Sequence, residues 1–257
     1  MFFRTLTTTL VCTTIIAVQH SPTVGQVARG ISNQAQQITV RIDGEQEGSG
    51  IIIAKSGNSY TVLTNWHVMD ESGAYSIITV DGQRHTVDYT RVQQLQDLDL
   101  ALVEFRSDRD YEIARIGNSD QLSSGEEIYF AGYPRELKAE KKRYYTFQAV
   151  HINRILSEPI NQGYAVVYDG EALPGMSGGP VLNSFGHVIG IHGEGGVHNR
   201  TGATSLYAIP INSAQSQLPN IDVAPTIIPV NNADRIGRPK PIEPDPNTPS
   251  VCSGYEC

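Results

Sequence analysis

Gly175-Met176-Ser177-Gly178-Gly179-Pro180 is the stretch on which the reading of this chain turns. A serine hydroxyl is a poor nucleophile until a base removes its proton and donors await the oxyanion that its attack creates. Glycines around a serine supply both a tight backbone turn and unhindered amides. The stretch therefore offers Ser177 as a candidate nucleophile and the N–H groups of Gly175 and Ser177 as candidate oxyanion donors. Its plainer alternative is a Gly-rich hairpin in which the serine merely serves the turn.

Working outward, the segments on either side, Tyr164 to Tyr168 and His187 to His192, are short runs rich in Val, Ile and Tyr. Similar runs occur at Ile38 to Ile42, Gly50 to Ala54, Tyr60 to Thr64, Tyr75 to Val80, Leu100 to Phe105, Glu127 to Gly132, Tyr145 to Asn153 and Leu206 to Ile209, with Gly, Asn, Asp and Ser between them. Such runs read as strands. No helical period persists among them. An all-β fold of antiparallel barrels or a sandwich follows, because no crossover helix is available to join parallel strands.

Two further segments bear on Ser177. Leu63-Thr64-Asn65-Trp66-His67-Val68 places a histidine just after a β-branched strand, and a neutral imidazole is the base at hand near pH 7. His67 is the candidate to accept the Ser177 proton and return it to the leaving group; the plainer reading is a structural histidine, one of 7 in the chain. Asp97-Leu98-Asp99-Leu100-Ala101-Leu102-Val103 sets an acid at the mouth of an apolar strand, where a buried carboxylate can hold the far imidazole nitrogen protonated. Asp97 and Asp99 would share a strand face. Asp99 is preferred because it abuts the apolar run directly.

With these segments in the order His, Asp, Ser, the chain resembles the trypsin-like serine peptidases of the chymotrypsin clan, of bacterial secreted type. Thr64-Asn65-Trp66-His67 is similar to the family's Thr-Ala-Ala-His segment, Asp99-Leu100-Ala101-Leu102 to its Asp-Ile-Ala-Leu, and Gly175 to Pro180 to its Gly-Asn-Ser-Gly-Gly-Pro. The resemblance runs from Val40 to Pro210. It implies two six-stranded antiparallel β-barrels with the active site in the cleft between them. It also implies a triad of His67, Asp99 and Ser177, an oxyanion hole at Gly175 and Ser177, and hydrolysis of peptide bonds through an acyl-enzyme, without cofactor or metal. The rival reading is a catalytically silent binding module on the same barrels. Met176 stands where members activated by a new N-terminus carry Asp, so no such switch is implied, and Met176 is expected to pack into a barrel interior.

The resemblance also carries a specificity pocket, for which Glu171, His192, Gly193 and Gly195 are the candidate substrate-binding residues. Ile189-Gly190-Ile191-His192 is similar to the segment with which glutamyl endopeptidases bind a substrate Glu. Glu171 argues for the opposite preference, standing where trypsin-like enzymes bind Lys or Arg. A third reading pairs Glu171 with His192. Tyr207 aligns with a tyrosine behind the pocket, but it reads first as an ordinary core aromatic.

Composition bounds the rest. A chain of 257 residues suffices for one large or two small domains. Its formal charge of −8 offers no basic surface for nucleic acid or anionic lipid. Cys12, Cys252 and Cys257 are too few and too terminal for a disulfide framework or a four-ligand zinc site, although Cys252 and Cys257 can pair in an oxidising compartment. Arg4 followed by the uncharged Thr5 to Val18 reads as an export signal, too short to span a bilayer. Half of the 14 prolines fall between Pro225 and Pro249, where they preclude a sheet ladder. The expected organisation is a signal peptide (1–28), an N-terminal barrel (29–118), a C-terminal barrel (119–222) and a Pro-rich tail (223–257). The tail is too short for the peptide-binding domain of a protease-chaperone. The implied setting is secreted or periplasmic, with protein or peptide substrates, no nucleic-acid partner and no membrane partner after signal removal.

Overall fold

Strands that alternate between two apolar environments organise the molecule, and each sheet gives one face to its own interior and the other to a shared seam. The computed structural model describes residues 24–135, 142–197, 202 and 204–219. The first sheet contains β1 (Thr39–Asp43), β2 (Gly48–Ser56), β3 (Ser59–Thr64), β4 (Ser76–Ile78), β5 (Arg84–Thr86), β6 (Gln93–Gln94) and β7 (Ala101–Arg106). Its strand order is β5-β4-β1-β2-β3-β7-β6. The second contains β8 (Glu127–Gly132), β9 (Thr146–Ile160), β10 (Tyr164–Tyr168), β11 (Pro180–Leu182), β12 (Val188–Val197) and β13 (Thr204–Pro210), closed in the order β10-β13-β12-β11-β8-β9. All strand pairings within both sheets are antiparallel.

The fold is the double-barrel arrangement that the resemblance implies, with one difference in detail. The second half has the six strands expected and closes; the first is an open seven-stranded sheet. Its edges are the polar fragments β5 and β6, separated by a 3₁₀ turn at Tyr89–Arg91, and they are too short to pair across the gap.

The period of two explains why these strands read as nearly continuous apolar runs. On β2, Ile52 enters the core of the first sheet, while Ile51 and Ile53 enter the seam. On β8, Ile128 and Phe130 enter the second core, while Tyr129 and Ala131 face the seam. Met176 is fully buried in the second core, as expected of it.

Helix α1 (Val24–Ile38) is an element that the sequence reading lacks; its first residues fall within the interval read as an export signal. Ile31, Ala35 and Ile38, with Val27 and Ala28 partly buried, seat it on the seam at helical spacing. Residues 1–23 of that signal, and the Pro-rich tail with Cys252 and Cys257, lie outside the described residues.

Candidate active site

The turn after β3 fixes the imidazole. Thr64 ends the strand, Asn65 is extended at φ −76° and ψ 150°, and Trp66–Val68 make one 3₁₀ turn. Val68 is buried and anchors the turn in the first core, which leaves His67 facing solvent with 42% of its side chain exposed. Asp99 lies between Leu98 and Leu100, both buried in the seam, and is only 6% exposed. Its Oδ2 accepts from His67 Nδ1 at 2.7 Å and its Oδ1 from the His67 amide at 2.9 Å. Burial alone would raise the Asp99 pKa; hydrogen bonds from His67 and Tyr164 outweigh that effect and hold it below the ordinary carboxylate range. Asp97, the alternative carboxylate, is exposed in a turn at φ 59° and shares no strand with Asp99, since β7 begins at Ala101.

Ser177 is carried by a loop from the second half and pinned to the first. The Ser49 amide donates to Ser177 O at 2.8 Å, and the Ser49 hydroxyl donates to Gly175 O at 2.8 Å. The approach is so close that a Cβ on Gly178, at φ +86°, would stand 2.1 Å from Ser49 O. Only glycine fits there. The Ser177 hydroxyl donates to Gly193 O at 3.1 Å and not to the imidazole. Among the described residues, the Gly175 and Ser177 amides have no acceptor, whereas the Met176, Gly178 and Gly179 amides bond to Leu173 O, His192 O and Met176 O. Pro174 O accepts from the Arg135 amide at 2.7 Å, which fixes the peptide that carries the Gly175 N–H.

A buried cation braces this loop. Arg143 is 7% exposed and donates to the carbonyls of Ile42 (2.8 Å), Gly48 (2.8 Å), Pro134 (3.2 Å), Gly175 (3.1 Å) and Tyr133, while pairing with Asp43 Oδ1 at 3.1 Å. Arg143→Met would leave these carbonyls without their charged donor, while Asp43 keeps Arg41 and Arg84 as partners. We expect a loss of about 2–5 kcal/mol of stability in urea unfolding, because several buried carbonyls lose a charged donor at once; a change within about 0.5 kcal/mol would contradict the bracing role.

The sequence pattern of the family described as "Trypsin-like peptidase domain" matches residues 48–191, which takes in His67, Asp99 and Ser177. The chain belongs to the trypsin-like peptidase domain family. It is 31% identical over 174 residues to "Serine protease Do-like HtrA" of Lactococcus lactis subsp. cremoris (strain MG1363), covering 65% of this chain and 42% of that protein. It is 31% identical over 151 residues to "Probable periplasmic serine endoprotease DegP-like" of Chlamydia trachomatis serovar D, covering 56% of this chain and 27% of that protein. The chain thus spans less than half the length of these relatives. Among solved structures, Deg5 matches with a TM-score of 0.59 at 20% identity, over 75% of this chain and 92% of that one. The Rv3671c protease in its inactive form matches with a TM-score of 0.58 at 20% identity, over 79% and 98%.

In this trypsin-like peptidase domain the residues offered for substrate binding lie in different surroundings. Gly193 and Gly195 line a cleft of about 710 Å³ together with His67, Asp99, Asp70 and Glu194. Glu171 is exposed, and its backbone is latched to the Gln148 side chain. His192 is 2% exposed beside the Phe130 ring, with Nδ1 bonded to the Tyr168 hydroxyl at 2.6 Å, so the Glu171–His192 pair is not formed. Tyr207 packs partly buried against the seam.

Burial, with a smaller contribution from His67, lowers the His192 pKa to about 3. The native imidazole therefore stays neutral where the unfolded one, with a pKa of about 6.5, takes up a proton. Its contribution is complete above about pH 6.5 and is lost as the pH falls toward 3, at about 1.4 kcal/mol per pH unit. Urea unfolding across that range should show a shallower slope for His192→Gln than for the wild type; parallel slopes would count against this account.

Sequence reasoning missed several residues around the candidate site: Ser49, Arg143, Tyr164, and Asn65 in its bonded role. Asn65 Nδ2 donates to Asp99 O at 2.9 Å and to the Tyr164 hydroxyl at 3.2 Å. Asn65 lies within the Thr64–His67 segment, but nothing local marks the others, whose bonds to Gly175 and Asp99 reach far along the chain.

Proposed function

We propose that this chain is an exported serine endopeptidase, secreted or periplasmic, that cleaves protein or peptide substrates. The observation that supports the reading is the His67–Asp99 bond at 2.7 Å in a cleft also lined by Gly193, whose carbonyl accepts from the Ser177 hydroxyl, together with two candidate oxyanion amides that are unclaimed among the described residues. In the proposed reaction His67 Nε2 takes the Ser177 proton as Oγ attacks the scissile carbonyl, and the Gly175 and Ser177 amides stabilise the oxyanion. The imidazolium gives its proton to the leaving amine. Water then repeats the sequence on the acyl-enzyme and releases the acid. In the free protein Ser177 Oγ donates to Gly193 O; hydrogen bonds of this kind commonly realign when substrate binds. Export is supported by the periplasmic naming of the chlamydial relative and by the charge pattern of residues 1–28.

Treatment with an organofluorophosphate followed by peptide mass spectrometry should find one adduct, on Ser177. An unlabelled Ser177 in folded protein would overturn the reading and leave a binding module in its place. Digestion of a peptide library addresses the pocket: cuts after Glu would assign recognition to His192, and cuts after Lys or Arg would assign it to Glu171.

A further inference from the structure

Tyr164 begins β10 in the second sheet and is fully buried. Its hydroxyl donates to Asp99 Oδ2 at 2.5 Å, the same oxygen that accepts from His67 Nδ1. The phenol is itself held in place, accepting from Asn65 Nδ2 at 3.2 Å. Space for it exists because residue 193 has no side chain: a Cβ on Gly193 would lie 2.0 Å from the Tyr164 oxygen and 2.8 Å from Asn65 Nδ2.

We propose that Tyr164 is a positioning residue that reaches from the second sheet, holds the Asp99 carboxylate against His67 and shares its charge. This rests on the peptidase reading above. Two donors on Oδ2 divide its negative charge, so the phenol moderates how strongly Asp99 favours the imidazolium while fixing the carboxylate's direction. Burial and the neighbouring Asp99 charge push the Tyr164 pKa upward, so the group stays a donor. The other charged groups lining the cleft around the imidazole are Asp70, three positions on in the chain, and Glu194 on β12, with His192 buried deeper in that strand.

Two variants at position 164 test the idea. Tyr164→Phe keeps the ring and removes the donor. It should lower kcat about tenfold, the scale of one hydrogen bond to a charged group, leave KM unchanged, and move the acid limb of the kcat/KM profile to higher pH, because the unshared carboxylate favours the protonated imidazole. Site-specific 3-fluorotyrosine keeps the hydroxyl and makes it a stronger donor, so the acid limb should move the other way. Unchanged kcat and pH profiles, or shifts of the same sign in both variants, would overturn the proposal. If the wild type neither hydrolyses peptides nor takes the phosphoryl label, the peptidase reading fails instead. The positioning role is then still read from the His67 titration by NMR, where the two variants must diverge in the same directions.

Discussion

Ser177→Ala is expected to lower kcat by about 10⁶-fold while leaving the fold intact, the scale of effect found when a triad nucleophile is removed. The variant loses one oxygen, and the backbone that shapes the loop is untouched: Ser49 still binds residue 177 through its carbonyl, and Gly178 still donates to His192 O. Stability in urea should therefore change by less than about 1 kcal/mol, because among the described residues the hydroxyl bonds only to the partly buried Gly193 O at the cleft. The measurement is steady-state hydrolysis of a peptide ester with parallel unfolding curves. Retained hydrolysis in a folded Ser177→Ala protein would refute the nucleophile assignment.

Asp99→Asn should cost about 10⁴-fold in kcat through a different cause. Asp99 presents acceptors to His67 Nδ1, the His67 amide and the Tyr164 hydroxyl. An amide there replaces one oxygen with a donor. With the new nitrogen at the Oδ1 position the His67 amide loses its acceptor; at the Oδ2 position Tyr164 loses its acceptor and Nδ1 must give up its proton, and a protonated Nε2 cannot take the one on Ser177. The variant also alters acid stability. In the wild type the depressed Asp99 pKa contributes stability that is present above the ordinary carboxylate range and disappears as pH falls through the lowered native value. Asp99→Asn removes that contribution, so its stability below neutrality should be less dependent on pH than the wild type's. A variant with near-normal kcat would show that His67 finds its orientation without the carboxylate.

Much of this architecture was legible because the strands that build the cores are apolar on both faces. Glu127–Gly132 and Tyr164–Tyr168 have the bounds read from their residues alone. Strands without that signature escaped: Arg84–Thr86 and Gln93–Gln94 are exposed polar edges, and Pro180–Leu182 hides behind the serine loop. β9 was read only to Asn153 because its continuation to Ile160 is largely solvent-facing and has no apolar alternation. Helix α1 was lost for another reason, its apolar spacing lying next to a stretch read as export signal. At the candidate site, His67, Asp99 and Ser177 announced themselves through their immediate neighbours. Arg143 and Tyr164 act on residues more than 30 and 60 positions away, respectively, and a lone Arg or Tyr in a sequence carries no mark of a distant partner.

The missing side chain at Gly193 ties that position to Tyr164 as two answers to one problem of volume. A relative with a side chain at the first position has no room for a phenol at the second, and one with a smaller residue at the second leaves a hole that the first can fill. Neither site is free to drift alone. Across the lineage the two should change as a couple, so that this pair of letters, far apart in the chain, is inherited as a single character.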